Sequence, residues 1–348
     1  MKFYKLIILI LIVFSKTGNL LSENNLFSVN NIKLEKKEKT TNKELADLAI
    51  QKGFNQLISK ILLQDDYEKL SDLKFSSIKQ LVTYYQISKV LEKGQEQDLV
   101  NFNVTFDKDK IHNLFYNKGI LYSEILDKEI FILPIFIRDN EIFVFNNNFF
   151  YKNWKEIYEN DLIEFILLLE NIEIIHQINR NTDTLISLKL ENLFKEYLNK
   201  NIALIIIEEK ENKEKKAYIK AKIQEKKISK SLSFNDQKSD QDILYKKIII
   251  ELKKELINLI KSENLIDIRT PSFLNVKLDL DKRGNLVDLN LRLQNIDLIE
   301  NVFVQEFNKD TMRLRIKYLG KLEKIINQLK KTNINLQFIN EQWVIKTL

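Results

Sequence analysis

Residues 128–137 read KEIFILPIFI, and this stretch decides the class of fold. An apolar run without polar alternation describes a strand of the buried type. Pro134 lacks an amide donor, so the strand should lie at a sheet edge or be distorted there. Beyond residue 137 the chain alternates between extended and helical patterns. NEIFVFNN (140–147) is strand-like, a helix is expected around Trp154, and IEFILLLE (163–170) is an apolar strand. A helix is expected over LISLKLENLFKEYLN (185–199) and a strand over IALIIIEE (202–209). AYIKAKIQEKKISKSLSF (217–234) reads as one or two alternating strands. Asp240–Lys261 is the clearest long amphipathic helix, with an apolar stripe of Ile243, Leu244, Ile248, Ile250, Leu252, Leu256 and Ile260. Strands alternating with helices imply an α/β layered domain, here 128–265.

Toward the N-terminus, 25–122 reads as a small α+β domain. A first strand falls within Asn25–Lys37, where Leu26, Val29 and Ile32 are the apolar positions. From Asn42 the period changes. Leu45, Leu48, Ala49, Phe54, Leu57, Ile58 and Ile61 define an amphipathic helix of about 20 residues that Thr41 or Asn42 can cap. A shorter helix is expected over Lys74–Val82. YYQISKVLEK (84–93) and QDLVNFNVTFD (97–107) form a hairpin around Gly94-Gln95. KDKIHNLFYNKGI (108–120) is a helix closed by Gly119.

The last region, 272–348, begins after Thr270-Pro271. FLNVKLDLD (273–281), NVFVQEF (301–307) and MRLRIKYLG (312–320) are strands, the last two joined by a turn at Asn308-Lys309-Asp310. Residues 285–296 are assigned a helix, although Leu289, Leu291 and Leu293 also alternate as in a strand. LEKIINQLKKTN (322–333) is a helix, and INLQFINEQWVI (334–345) is a strand or a short hairpin. The order βαββαβ is the ferredoxin-like arrangement. The whole is therefore expected to be an α+β, multi-domain protein.

At the very start, Lys2 and Lys5 precede nine uninterrupted apolar residues, Leu6 to Phe14, and Lys16 ends the run. Crossing a bilayer takes about 20 apolar residues. A basic start, a short apolar core and a polar Thr17-Gly18-Asn19 stretch describe a secretory signal over 1–22, cleaved after Ser15 or Ser22. The expected location is the periplasm or cell envelope. Zero cysteines suit an exported chain without disulfides and remove thiol catalysis and thiolate metal sites. The formal charge of +6 includes three lysines of the first 22 residues. Elsewhere the basic residues are interleaved with acids, which argues against a nucleic-acid partner.

No catalytic constellation, cofactor loop or metal set emerges. His112 and His176 are the two histidines, and neither has a Ser-His or carboxylate spacing beside it. Asp279, Asp281 and Gly284 match three positions of a calcium loop, but Arg283 and Asn290 break the pattern. Six glycines, all scattered, leave no phosphate loop. Residues 208–230 hold nine Lys and five Glu, the wet face of strands or a contact for anionic lipid.

The segments LFSVNNIKL, ELADLAIQKGFNQLISKIL, LVTYYQIS, VNFNVTFDKDKIHNLFYNKGI and IFILPIFI resemble the domain-of-unknown-function two-zero-six-six family of exported proteobacterial proteins. Val29, Ala46, Ala49, Tyr85, Phe106-Asp107 and Leu133-Pro134 carry the likeness. Trp154 and the closing MRLRIKYLGKLEKIINQL stretch extend it. Lys52-Gly53-Phe54-Asn55 and the QDD turn after Leu63 depart from it. The resemblance implies an envelope location and no particular activity. The expected function is a non-enzymatic binding or interaction protein of the envelope, whose partner is an envelope protein or a cell-wall component. The alternatives are an envelope-polymer hydrolase using Asp65, Asp66 or Asp107, and a membrane-surface adaptor working through residues 208–230.

Overall fold

The structure is a computed structural model that describes residues 26–36, 40–90, 99–125, 127–157, 162–210, 214–234, 240–279, 286–308 and 310–347. The expected signal segment, the Gly94-Gln95 turn and Asp281–Gly284 of the calcium-like loop lie outside these residues. The protein is of mixed helix and sheet, α+β, and forms two compact units. One comprises the chain up to Glu124 together with Leu265 onward; the other is Ile125–Asn264. The two flanking segments, separate domains by their sequence patterns, thus belong to one unit and share one core cluster.

In the first unit, β1 (Ser28–Glu35) precedes α1 (Asn42–Ile61). Thr41 and Glu44 form a capping box: the Thr41 hydroxyl accepts from the Glu44 amide at 3.2 Å, and Glu44 accepts from the Thr41 amide at 2.8 Å. Leu45, Ala49, Leu57 and Ile61 are buried, but Leu48, counted on the apolar stripe, points outward and is exposed. Ala46, Ala49 and Gly53 give α1 a narrow inner face. A Cβ at Gly53 would stand 3.0 Å from Ile32 Cδ1 and 3.5 Å from Val104 Cβ, so glycine here serves the close approach of helix to sheet. Gly53→Val is expected to cost about 2 kcal/mol through overpacking. Urea unfolding would measure it, and an unchanged midpoint would refute the tight fit.

Next come α2 (Phe75–Gln80), β2 (Val82–Val90) and β3 (Leu99–Phe106), with β3 central between β1 and β2, both antiparallel to it. Asp107 caps α3 (Lys108–Lys118), accepting from the amides of Asp109 and Lys110, and Gly119 closes it at φ 62°. β4 (Tyr122–Ser123) ends this passage.

The second unit is built on β5 (Glu129–Arg138), β6 (Glu141–Val144), α4 (Phe149–Asn153), β7 (Glu164–Leu167), α5 (Ile172–Arg180), α6 (Leu190–Leu193), β8 (Asn201–Glu209), β9 (Lys215–Ile223), β10 (Lys226–Phe234) and α7 (Gln241–Glu263). Its sheet order is β10-β9-β8-β5-β6, with β7 also pairing β5. The sheet carries a core on each face. α4 and α7 pack on one, while Ile174, Ile178, Leu190 and Leu193 of α5 and α6 pack on the other. On α7, Leu244, Ile248, Leu252, Leu256 and Ile260 are buried as expected; Ile243 is exposed, and Tyr245 and Ile249 join the core.

Pro134 reveals how β5 is accommodated. One side pairs continuously with parallel β8. The other is divided: β7 pairs residues Glu129–Ile132, and β6 pairs Ile135–Arg138. The proline falls in the gap, where no ladder donor is required. Asn148, fully buried, fills it: Nδ2 donates to the Pro134 carbonyl at 2.8 Å while Oδ1 accepts from the Phe150 amide at 2.8 Å, capping α4.

The chain returns to the first unit through β11 (Leu265–Ile266), antiparallel to β4. β12 (Ser272–Asp279), α8 (Leu286–Gln294), β13 (Ile299–Phe307), β14 (Thr311–Tyr318), α9 (Leu322–Lys331), β15 (Ile334–Ile339) and β16 (Gln342–Thr347) complete it. Leu289 and Leu293 are buried and Leu291 is exposed, the four-residue period of a helix. The strand order is β13-β14-β12-β16-β15. The closing segment is a hairpin turning at Asn340-Glu341, both with positive φ. Its return strand β16 lies parallel to β12, so the sheet has one strand more than the expected βαββαβ order supplies.

Candidate functional site

The acids singled out from sequence have structural duties. Asp65 and Asp66 lie in a short 3-10 turn after α1, and Asp66 pairs with Lys69 at 2.5 Å. Asp107 is the α3 cap. His176 is exposed on α5. Within 208–230, Lys215, Lys216, Lys222, Lys226, Lys227 and Lys230 each pair with a glutamate, and Lys220 donates to the carbonyl of Leu188 at 2.8 Å. Among the described residues no three His, Asp or Glu side chains are placed to hold a metal.

A cluster of ionisable groups, not evident from sequence, lies inside the first unit. His112 on α3 packs edge-on against Phe27, with centroids 5.5 Å apart, and lies 5.4 Å from the Tyr122 ring. Glu124, just past β4, is buried. Its carbonyl accepts from Lys324 Nζ at 3.0 Å, and its Oε1 accepts from Gln328 Nε2 at 2.7 Å. Lys324 and Gln328 stand one turn apart on α9, so one helix face serves both contacts. Lys108, one turn before His112, donates to the Asp297 carbonyl at 2.5 Å. Burial, reinforced by the Asp297 charge, pushes the Glu124 carboxyl up to about 7. Burial and the Lys108 charge push His112 down to about 4. Burial lowers Lys324 to about 8 and raises Asp297 and Tyr122. Glu124, His112 and Lys324 are each about 6% exposed, so the cluster presents no opening to a substrate.

A second feature lies at a sheet edge. Among the described residues β13 pairs only with β14 and is the end strand of its sheet. Phe303, Val304 and Phe307 are 47%, 60% and 65% exposed. Its two charges are turned back on its own sheet: Glu300 pairs with Lys317 at 2.8 Å and Glu306 with Arg313 at 3.1 Å. Two register shifts, at Ile299/Asn301 and Val304/Glu306, bracket a regular stretch between them. β10, an edge of the second unit's sheet, differs in composition: it carries Lys226, Lys227 and Lys230, each paired with a glutamate of another element. An edge whose exposed side chains include Phe303, Val304 and Phe307 offers backbone groups and apolar contacts to an extended polypeptide.

Comparison with protein-family models, with curated proteins and with solved structures found no match for this chain.

Proposed function

We propose that the protein is a non-catalytic binding protein of the cell envelope, exported by its N-terminal signal and engaging a partner protein through β13. The carrying observation is that this edge exposes Phe303, Val304 and Phe307 while both of its glutamates are neutralised internally. The occupant is an extended segment with apolar residues at alternate positions, added as a sixth strand. The closing segment is read as a ferredoxin-like unit with one added strand, which the order β13-β14-β12-β16 supports. The middle unit is read as an α/β layered domain and the first segment as a small α+β element. Export is supported by the short apolar run behind Lys2 and Lys5.

A photo-crosslinking residue at position 304, introduced in intact cells, is expected to give a discrete adduct that maps to an extended peptide. Phe303→Lys should reduce that adduct at least tenfold while moving stability by less than about 0.5 kcal/mol, because the side chain is exposed. A probe at Ser231 on β10 should give none. Equal labelling from both edges, or none from position 304, would overturn the docking role. N-terminal sequencing of the fractionated protein tests export; a cytosolic chain that retains Met1 would end it.

A further inference from the structure

Glu124 is the last residue of the first unit before the chain enters the second. It directly follows β4, the partner of the returning strand β11. α9 grips this exit twice: Lys324 Nζ donates to the Glu124 carbonyl at 3.0 Å, and Gln328 Nε2 donates to its carboxyl Oε1 at 2.7 Å. The other two oxygens of the side-chain contact are the informative ones. Glu124 Oε2 and Gln328 Oε1 are both sealed from solvent, and neither has a hydrogen-bond partner among the described residues. Two buried acceptors without a donor, on groups already joined by one hydrogen bond, are a costly arrangement. A carboxylic acid removes the conflict, because its O–H donates where a carboxylate can only accept.

We infer that Glu124 and Gln328 form a cyclic acid–amide pair, Glu124 Oε2–H donating to Gln328 Oε1 while Gln328 Nε2 donates to Glu124 Oε1. That proton is a latch between the exit strand and α9. Its release is an acid dissociation: the O–H bond breaks, the electron pair stays on Oε2 and the proton leaves to solvent. Two oxygens are then opposed, and the pair opens. Burial and the Asp297 charge before β13 favour the acid, whereas Lys324 on α9, the Gln328 donor and Lys108 on α3 favour the carboxylate, which places ionisation at about 7. Tyr122 on β4, pushed well up by burial, and His112 on α3, held down to about 4, are both uncharged over this range. The latch is therefore shut in mild acid and opens as pH rises through neutrality.

Infrared difference spectra and amide hydrogen exchange of the full chain, from about pH 5.5 to about 8.5, test this. A protonated-carboxyl band is expected at the acid end only. It should be missing from Glu124→Gln and should move to higher frequency in Gln328→Met, where the acid carbonyl has lost its donor. Segments 120–125 and Leu322–Lys331 should exchange at least tenfold faster at the alkaline end, after correction for the intrinsic pH dependence of exchange. Glu124→Gln supplies the same donor without ionising and should stay slow throughout; Gln328→Met should be fast throughout. A parent without the band, or a band unmoved by Gln328→Met, would overturn the acid–amide pair. Exchange that is level with pH in the parent, or that rises equally in Glu124→Gln, would overturn the latch.

Discussion

Asn148→Asp is expected to destabilise the second unit by about 3 kcal/mol, although it changes one atom group in a side chain of nearly constant size. The native amide uses both ends: its nitrogen serves the Pro134 carbonyl and its oxygen serves the Phe150 amide. An aspartate keeps the second contact but sets an oxygen against the Pro134 oxygen and places a charge where nothing is exposed. Acid should restore part of the loss, because a protonated carboxyl can donate where the amide did. Urea unfolding at neutral and acidic pH measures both effects. An aspartate variant within about 1 kcal/mol of the parent at neutral pH would mean that the gap beside Pro134 does not depend on a donor.

The second large effect is hidden in the native protein because two groups oppose each other. Glu124 holds its proton to about pH 7 when folded, against an ordinary value of 4.5. Between these values the unfolded chain has released a proton that the folded chain keeps, so stability falls as pH rises, by about 3 kcal/mol in all. His112 behaves in reverse. Its ordinary value is 6.5 and its folded value about 4, so the unfolded chain takes up a proton that the folded chain refuses. Stability therefore falls by a similar amount as pH drops from 6.5 to 4. Over the overlap the two slopes oppose each other, with Asp297, also raised by burial, adding to the carboxyl side. Glu124→Gln should expose the histidine slope, a protein that weakens in acid. His112→Phe, which fits between Phe27 and Tyr122, should expose the carboxyl slope, a protein that strengthens in acid. The other charges facing the pair are Lys108 on α3, Asp297 and Glu300 before and at the start of β13, and Lys324 on α9, with Lys60 on α1 acting on Asp297 and Lys321, just before α9, acting on Lys324. Lys324, lowered to about 8, gains stability only above that pH and lies outside the window. Denaturation midpoints from pH 4.5 to 7 decide the matter: parallel curves for the parent and both variants would disprove the coupling.

The features legible in the sequence are local. The Thr41 cap, the Gly119 stop and the buried ladder on α7 arise from spacing within one or two turns. The helix expected over 185–199 is instead a chain of one-turn pieces, because burial of Leu185, Leu188, Leu190, Leu193 and Phe194 against the sheet outweighs helical continuity. α5 has no counterpart among the expected elements, although Asn171 caps it by accepting from the Glu173 amide and its buried Ile174 and Ile178 stand one turn apart. The two-residue turns at Asp139-Asn140, Gln224-Glu225 and Asn340-Glu341 all adopt positive φ without a glycine to mark them. Residues 217–234 therefore do not divide into their two strands on sequence alone. Pro134 signals a break in pairing, but its filler, Asn148, is supplied by tertiary structure. Nothing near Glu124 marks it as buried; α9 arrives there from two hundred residues away in the chain.

The return of the chain through β11 has a kinetic consequence. The opening segment of the first unit must wait for residues that emerge last, and a loop as long as the whole second unit would cost roughly 4 kcal/mol to close if it were slack. It is not slack once folded. Asp127 meets Asn201 at 3.4 Å, Asn201 accepts from the Gln224 amide at 3.2 Å, and Gln224 reaches Asn264 at 2.5 Å, which ties the beginning of the insertion to its end. An inserted unit that folds before its host would hold the two severed halves of that host close together and turn a distant encounter into a neighbourly one.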